Sequence, residues 1–289
     1  MILIQPKVEI IDEKDPFKKI ELAGRTCYKS ENKITEDSAI RFVSRLINAG
    51  HLAMVEHASF CFMSETEDNN VAVILSEQFA NYHFTNITLQ KISNKYRVIF
   101  SANARALLEY DLLSIQNKEF IFDEILTKNF KLVDFEKLKN KTEIEILHHR
   151  YVTMRFICDR GVSHELVRHR LFSFAQESQR YIKYDKKENI EFIKPCDYDS
   201  WDEKTKLTFN SALIVAENIY KTLRLYGRTA QEARGVLPNA IKTEVVVTGN
   251  FKEWKHFFKL RCDKAAHPDI QIVANMAKEI YNTQFKVKK

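Results

Sequence analysis

Glycine is what this chain lacks. Its 289 residues hold six, at positions 24, 50, 161, 227, 235 and 249, and no two lie close together. Loops that cradle phosphates with their backbone need clustered glycines, so a G-x-G-x-x-G dinucleotide fingerprint and a Walker A loop are both excluded. A chain of this kind that holds a phosphate must use side chains and helix ends. Cationic side chains are available: 45 Lys and Arg stand against 39 Asp and Glu, a net charge of +6. The surplus is spread out rather than gathered into a tail, which suits anionic small molecules better than nucleic acid.

The length fits one large domain or two small ones, with ample material for a core. The five cysteines, at 27, 61, 158, 196 and 262, are scattered and never spaced C-x-x-C. That argues against a disulfide framework or zinc ribbon and for a reducing, cytoplasmic setting. No apolar run approaches the ~18 residues of a membrane helix. The opening MILIQPKVEIIDEKD lacks the basic start and apolar stretch of a signal peptide.

Residues 35–50 read as a helix capped by Thr35, with Ala39, Phe42, Val43, Leu46 and Ile47 on one stripe. From about 64 to 150 the texture changes, through SETEDNN and a Lys-rich run from Leu126 to Lys141, and this stretch reads as an insertion within a single domain spanning 1–289. Tyr151 to Cys158 alternates as a strand. Asp159-Arg160-Gly161 then reads as a turn, and Ser163 as the cap of a helix. A helix over 201–226 points Ala212, Ala216, Ile219, Tyr220 and Leu223 inward. Thr229 and Glu232 form a capping box, Thr243 to Thr248 a β-branched strand, and Asn250 with Glu253 the start of another helix. Pro268 opens the last helix. Strands and helices alternate without a βαβ rhythm, so the fold expected is α+β, an antiparallel or mixed sheet packed with helices. Val98 to Leu108 echoes Val246 to Trp254 in form: strand, Asn, a basic residue two on, helix. The preferred explanation is that this is simply a common turn.

The densest polar cluster is Arg168-His169-Arg170, followed by Ser173, Ser178 and Arg180, with Phe172, Phe174 and Tyr181 interleaved. Guanidinium forks match phosphate oxygens in pairs, and hydroxyls complete the acceptor shell. No metal is expected. His164 and His169 are i, i+5 rather than i, i+4, so their rings diverge around a helix, and His51 and His57 flank Glu56 without ligand spacing. Those three suit either ligand contact or partial burial. Arg234, Asn250, His256 and Arg261 supply polar groups in the last third. No serine or cysteine stands in a nucleophile motif.

These residues resemble a known family. RHRLFSFAQES is similar to the signature of the flavin-dependent thymidylate synthases, and the fuller form R-H-R-x-x-S-x-x-x-x-S-x-R is filled at Arg168, His169, Arg170, Ser173, Ser178 and Arg180. GRTCY, GH…EH at Gly50 to His57, QEARGVLPN and NFKEWKHFFKLRCDKAAHP resemble the family in the same order. The likeness covers 1–60 and 151–289. It implies methylation of dUMP to dTMP with methylenetetrahydrofolate as carbon donor, NADPH as reductant and FAD as hydride relay. It also implies a cytoplasmic homotetramer whose sites form where subunits meet, with no nucleic acid or membrane partner. Carried over, flavin would meet His51, Glu56, Arg168, His169, Arg170, Gln176, Asn250 and His256. The nucleotide would meet Glu165, Arg168, Gln176, Glu177, Ser178, Gln179, Arg180, Arg234 and Arg261, with Arg261 and Ser178 as the catalytic groups. Phe251-Lys252 replaces the usual Ala-Arg after the capping asparagine, whereas Asn103-Ala104-Arg105 keeps it. Which copy meets the flavin is open, with the C-terminal one preferred. The other function class compatible with the cluster at 168–181 is a non-catalytic nucleotide- or RNA-binding protein.

Overall fold

The structure, a computed structural model, describes residues 1–116, 118–134, 144–186 and 188–285. In chain order it runs β1 (Ile2–Ile4), β2 (Lys7–Ile10), α1 (Pro16–Tyr28), α2 (Ser38–Asn48), β3 (Ser59–Thr66), α3 (Asn69–Gln78), β4 (Thr85–Ile92) and β5 (Lys95–Asn103). Next come α4 (Ala104–Glu109), β6 (Leu113–Gln116), β7 (Glu119–Phe122), α5 (Glu124–Asn129), β8 (Lys131–Leu132), β9 (Tyr151–Asp159), α6 (Arg160–Leu166) and β10 (Ser173–Gln176). The chain continues through β11 (Glu191–Ile193), α7 (Glu203–Leu225), α8 (Ala230–Ala233), β12 (Lys242–Asn250), α9 (Phe251–Arg261) and α10 (Pro268–Phe285).

This is an α+β protein with two four-stranded sheets, ordered β4-β5-β3-β8 and β10-β12-β9-β2, all of whose pairs are antiparallel. β1 pairs with β11 in parallel, and β6 and β7 form a hairpin. The β-branched run at 243–248 lies in β12, all nine residues of which are buried. Its apolar face meets Trp254, Phe257 and Phe258 of α9 and Ile270, Val273 and Ala277 of α10. The first sheet packs Phe62, Val98 and Phe100 against α1, α2 and Phe79 in a separate core.

Most helix starts follow local chemistry. Thr229 with Glu232 and Asn250 with Glu253 make complete capping boxes. Three expectations need correction. The helix expected from Thr35 begins at Ser38, because Thr35 instead exchanges hydrogen bonds with the Ser38 hydroxyl (2.9 and 3.0 Å). Asp159-Arg160-Gly161 is a helix start rather than a turn: the Asp159 carboxylate accepts the Val162 N–H at 2.8 Å, and Ser163 lies inside α6. On α7 the buried residues are Leu213, Glu217 and Tyr220, while Ala212 and Ile219 are exposed. The Glu217 carboxylate forms an ion pair with Lys221, so a charged residue occupies the inward stripe. Residues 135–141 of the Lys-rich run lie outside the described residues.

The echo between Val98–Leu108 and Val246–Trp254 goes well past a shared turn. Three neighbouring strands of each sheet follow one order, β4-β5-β3 and β10-β12-β9, with an Asp-capped helix, α3 or α6, between β3 and β4 or between β9 and β10; the fourth strands differ, β8 following its three in the chain and β2 preceding its own. Asn103 ends β5 and caps α4; Asn250 ends β12 and caps α9. Asn103 pairs with Ser59 and Asn250 with Tyr151, the first residues of β3 and β9. A 3₁₀ turn precedes each of those strands and ends in a histidine, His57 or His149. Each histidine reaches the other sheet, at a residue two before the capping asparagine: His57 Nδ1 lies 2.8 Å from Thr248 Oγ1, and His149 Nδ1 lies 2.8 Å from Ser101 Oγ. The Ala104 N–H donates to the Ala58 carbonyl (2.8 Å), and the Phe251 N–H to that of Arg150 (2.9 Å).

Candidate functional site

A cavity of about 1550 Å³ has walls from both sheets. One wall is the segment Arg168 to Ser173, which joins α6 to β10, with Asn250 at the end of β12 and Lys252, Glu253, His256, Lys259 and Arg261 of α9. The other is Glu56, His83 to Asn86 at the junction of α3 and β4, Asn103, His148 and Tyr151.

The first wall is basic and ordered by Arg261. Its Nε donates to His169 Nε2 (2.9 Å), one terminal nitrogen donates to the Glu165 carboxylate (2.7 Å), and the other to the Glu165 carbonyl (3.2 Å). His169 therefore accepts at Nε2 and is neutral there. Burial, then the charges of Arg261 and His256, bring its pKa down to about 4. Arg168 and Arg170 are exposed on the cavity, and neither forms an ion pair with any described residue. Burial raises the Glu253 carboxyl to about 7, although it accepts the Asn250 N–H at 2.8 Å. On the opposite wall the Glu56 carboxylate is taken by Arg105 (2.7 Å), which also holds Glu109.

Of the residues expected at a site, the structure brings Glu56, Arg168, His169, Arg170, Asn250, His256 and Arg261 together on this cavity. Glu165 stands behind Arg261 and lines an adjoining cavity of about 330 Å³. The others lie elsewhere. His51 is exposed ahead of its 3₁₀ turn. Gln176 donates to the Ser163 hydroxyl (2.8 Å). The Glu177 carboxylate is buried, accepting from Tyr184 (3.0 Å) and Lys242 (3.2 Å). Ser178 donates its N–H to the Cys27 carbonyl (2.9 Å), and Gln179 follows it, half-buried. Arg180 is exposed over the Tyr181 ring, and Arg234 opens a 3₁₀ turn after α8. The reason is the strand: β10 runs from Ser173 on the cavity to Gln176, three steps and ~10 Å along an extended chain.

Sequence reading named Lys252 only within the copy that follows Asn250, and it missed Lys259 and also His83, Phe84, Asn86 and Tyr151 on the opposite wall. The signals for that wall were Glu56 and the echo of Asn250 in Asn103. Among the described residues no group of three or more His, Cys, Asp or Glu is placed to hold a metal, and no helix is long and apolar enough to cross a membrane.

The chain matches the model of a family described as thymidylate synthase complementing protein, Thy1, over residues 9–99 and 102–285. That range takes in most of the stretch from 64 to 150. Over 115 residues it is 39% identical to the flavin-dependent thymidylate synthase of Geobacter sulfurreducens, covering 40% of this chain and 49% of that one. Over 121 residues it is 41% identical to the enzyme of the same name from Pyrococcus furiosus, covering 40% and 48%. The counterpart from Pyrococcus abyssi is 32% identical over 170 residues, covering 55% and 69%. The chain thus spans about half the length of the first two of these relatives.

Proposed function

The chain belongs to the Thy1 family, and from that membership we propose that it methylates dUMP to dTMP, with bound FAD as hydride carrier and methylenetetrahydrofolate and NADPH as cosubstrates. The observation that carries the reading is the pair of guanidiniums, Arg168 and Arg170, exposed on a large cavity and ion-paired with none of the described residues. A cavity of about 1550 Å³ has room for a dinucleotide, since drug-sized ligands occupy ~300–1,000 Å³. Its donors suit phosphate, which the scarcity of glycine requires side chains to hold.

FAD supplies hydride chemistry when bound. The protein's part is positioning and charge. Arg168 and Arg170 hold the anionic end with forked hydrogen bonds. Arg261, locked by Glu165 and by neutral His169, presents a fixed cation where negative charge develops on the uracil ring. The aromatic packing of Trp254, Phe257 and Phe258 behind it keeps α9 rigid. Ser178 and the segment from Gln176 to Arg180, with Arg234, lie off the cavity of their own chain. We assign them to nucleotide held by a neighbouring chain, which makes the working form an assembly of subunits, a homotetramer on the family's pattern, in the cytoplasm. A non-catalytic nucleotide- or RNA-binding role for 168–181 gains no support, because that stretch divides between the cavity and the far end of β10.

The test is direct. The purified protein should take up FAD with a visible flavin spectrum and form dTMP from dUMP, methylenetetrahydrofolate and NADPH. Absence of both, with a salt-sensitive affinity for RNA instead, overturns the reading.

A further inference from the structure

The paired histidines, asparagines and three-strand orders relate residues 52–109 to residues 144–176 and 242–261 element by element. The ladders fix the correspondence at the cavity. Ser101 pairs with Asn86, and Thr248, its counterpart, pairs with Ser173. Counting back from Asn86 and Ser173, Asn81-Tyr82-His83-Phe84 stands where the other half has Arg168-His169-Arg170-Leu171. Burial agrees between 79–84 and 166–171. Phe79 and Leu166 are buried, Tyr82 and His169 are half-buried, and the four positions around each of the latter are exposed. Tyr82 stacks on Tyr110 (4.0 Å between centroids), and His169 packs on Phe257 (5.1 Å), the equivalent position seven residues after the capping asparagine.

We propose that these are two copies of one module facing each other across the cavity. In this proposal the N-terminal copy has been converted from an anion-binding half into a stacking wall, on which Phe84 holds the flat heteroaromatic ring of the ligand. This rests on the reading of the cavity as a site for flavin-class nucleotides. On this view residues 64–109, the first half of the stretch 64–150, are most of the first module rather than an addition to the second.

Three observations carry it. First, the conversion is chemical: both arginines of the C-terminal segment are replaced by neutral or aromatic residues, and no Lys or Arg of the N-terminal module lines the cavity. A ligand with phosphates at one end and a ring at the other has only one way to lie, phosphates on Arg168 and Arg170 and ring toward Phe84. Second, Phe84 is 63% exposed and lines the cavity, an apolar ring left in water unless something covers it. Third, its backbone is left-handed, at φ +58°, which is strained for a bulky residue. The strain is imposed by its neighbours. Tyr82 is stacked, the His83 N–H donates to the Tyr110 hydroxyl (2.8 Å), and the Thr85 hydroxyl donates to the Tyr82 carbonyl (2.7 Å). Such over-determined strain is characteristic of ligand clamps. Leu171, the counterpart, is also exposed on the cavity but has no left-handed backbone.

Titration of FAD into Phe84→Ala, followed by flavin absorbance and fluorescence, tests the proposal. Loss of one stacking contact should weaken binding by about 5- to 150-fold, while inorganic pyrophosphate should bind as it does to wild type. Phe84→Trp should bind FAD as wild type does and quench its fluorescence. Phe84→Gly should bind as poorly as Phe84→Ala yet melt no lower than wild type, because glycine relieves the φ strain. Equal FAD affinity in wild type and Phe84→Ala overturns the stacking wall. Were wild type to take up no FAD, the functional reading would fall. The same titration with dUMP against pyrophosphate then decides the wall: equal dUMP affinity in wild type and Phe84→Ala, or no binding of dUMP to either, overturns it.

Discussion

Where β12 gives way to α9, the chain places Gly249, then Asn250, and packs the Phe172 ring so closely over the glycine that a Cβ there would overlap it. Where β5 gives way to α4, the matching residues are Ala102 and Asn103, and the residue across the ladder is Thr85. A large ring over no side chain in one half answers a small side chain over a methyl in the other. The capping asparagines and the histidine contacts are common to both. Backbone hydrogen bonds and caps hold each half to one design, whereas side chains that face the cavity or fill a local gap are free to differ. Only the C-terminal half has Arg168, Arg170 and Arg261; α4 ends at Glu109, so the other half has no helical position to match Arg261 at the end of α9.

The largest effect should come from that chemical difference. Arg261→Lys keeps a charge but loses the planar fork that holds Glu165 and His169 together. We predict FAD binding close to wild type and flavin oxidation in the presence of dUMP slowed about 100- to 1000-fold. A wild-type single-turnover rate in Arg261→Lys would reduce Arg261 to a helix-end cation and erase this functional contrast between the halves.

Packing should give the next effect. Gly249→Ala forces the Phe172 ring out of place and is expected to cost about 1–3 kcal/mol, read from denaturant midpoints. Ala102→Gly should cost less, roughly 0.5–1 kcal/mol, through backbone freedom. Equal losses would mean that the two gaps are not filled by opposite means.

The caps should separate the halves least. Asn250 shares a capping box with Glu253, while Asn103 accepts a single N–H from Ala106 (2.8 Å). Both Asn→Ala changes should fall within ~0.5–2 kcal/mol, with Asn250→Ala the larger. Asn250→Ala should also loosen FAD more than Asn103→Ala does. If a flavin titration showed the reverse order, the N-terminal copy would be the half that holds the cofactor most closely.

How much of this could be read from the sequence depended on the range of the interactions. Capping boxes at Thr229 and Asn250 are local, and both formed as expected. Ser163 misled because Asp159, four residues earlier, was the stronger cap, and the face of α7 was misplaced because its inward stripe includes a paired glutamate. Arg168 to Arg170 were legible as a cluster, but the divergence of Gln176 to Arg180 from them appears only once β10 is drawn. The N-terminal sheet was the least legible. Its likeness to the C-terminal one survives in register, caps and two distant histidine contacts, while the side chains that would have announced it at 81–84 have changed.

Those two histidines also decide how the molecule should come apart. Burial holds His57 and His149 neutral, with pKa values brought down to about 3 against an ordinary ~6.5. Below pH 6.5 the unfolded chain therefore takes up protons that the folded one refuses, so stability falls as the pH drops from about 6.5 toward 3. Each histidine belongs to one half and is lodged against a hydroxyl of the other, so acid acts on the seam rather than on either half. Amide exchange followed down the pH scale should show β5 and β12 losing protection together, as one cooperative unit. Release of one sheet well before its twin would show that the halves fold independently, whatever their common pattern.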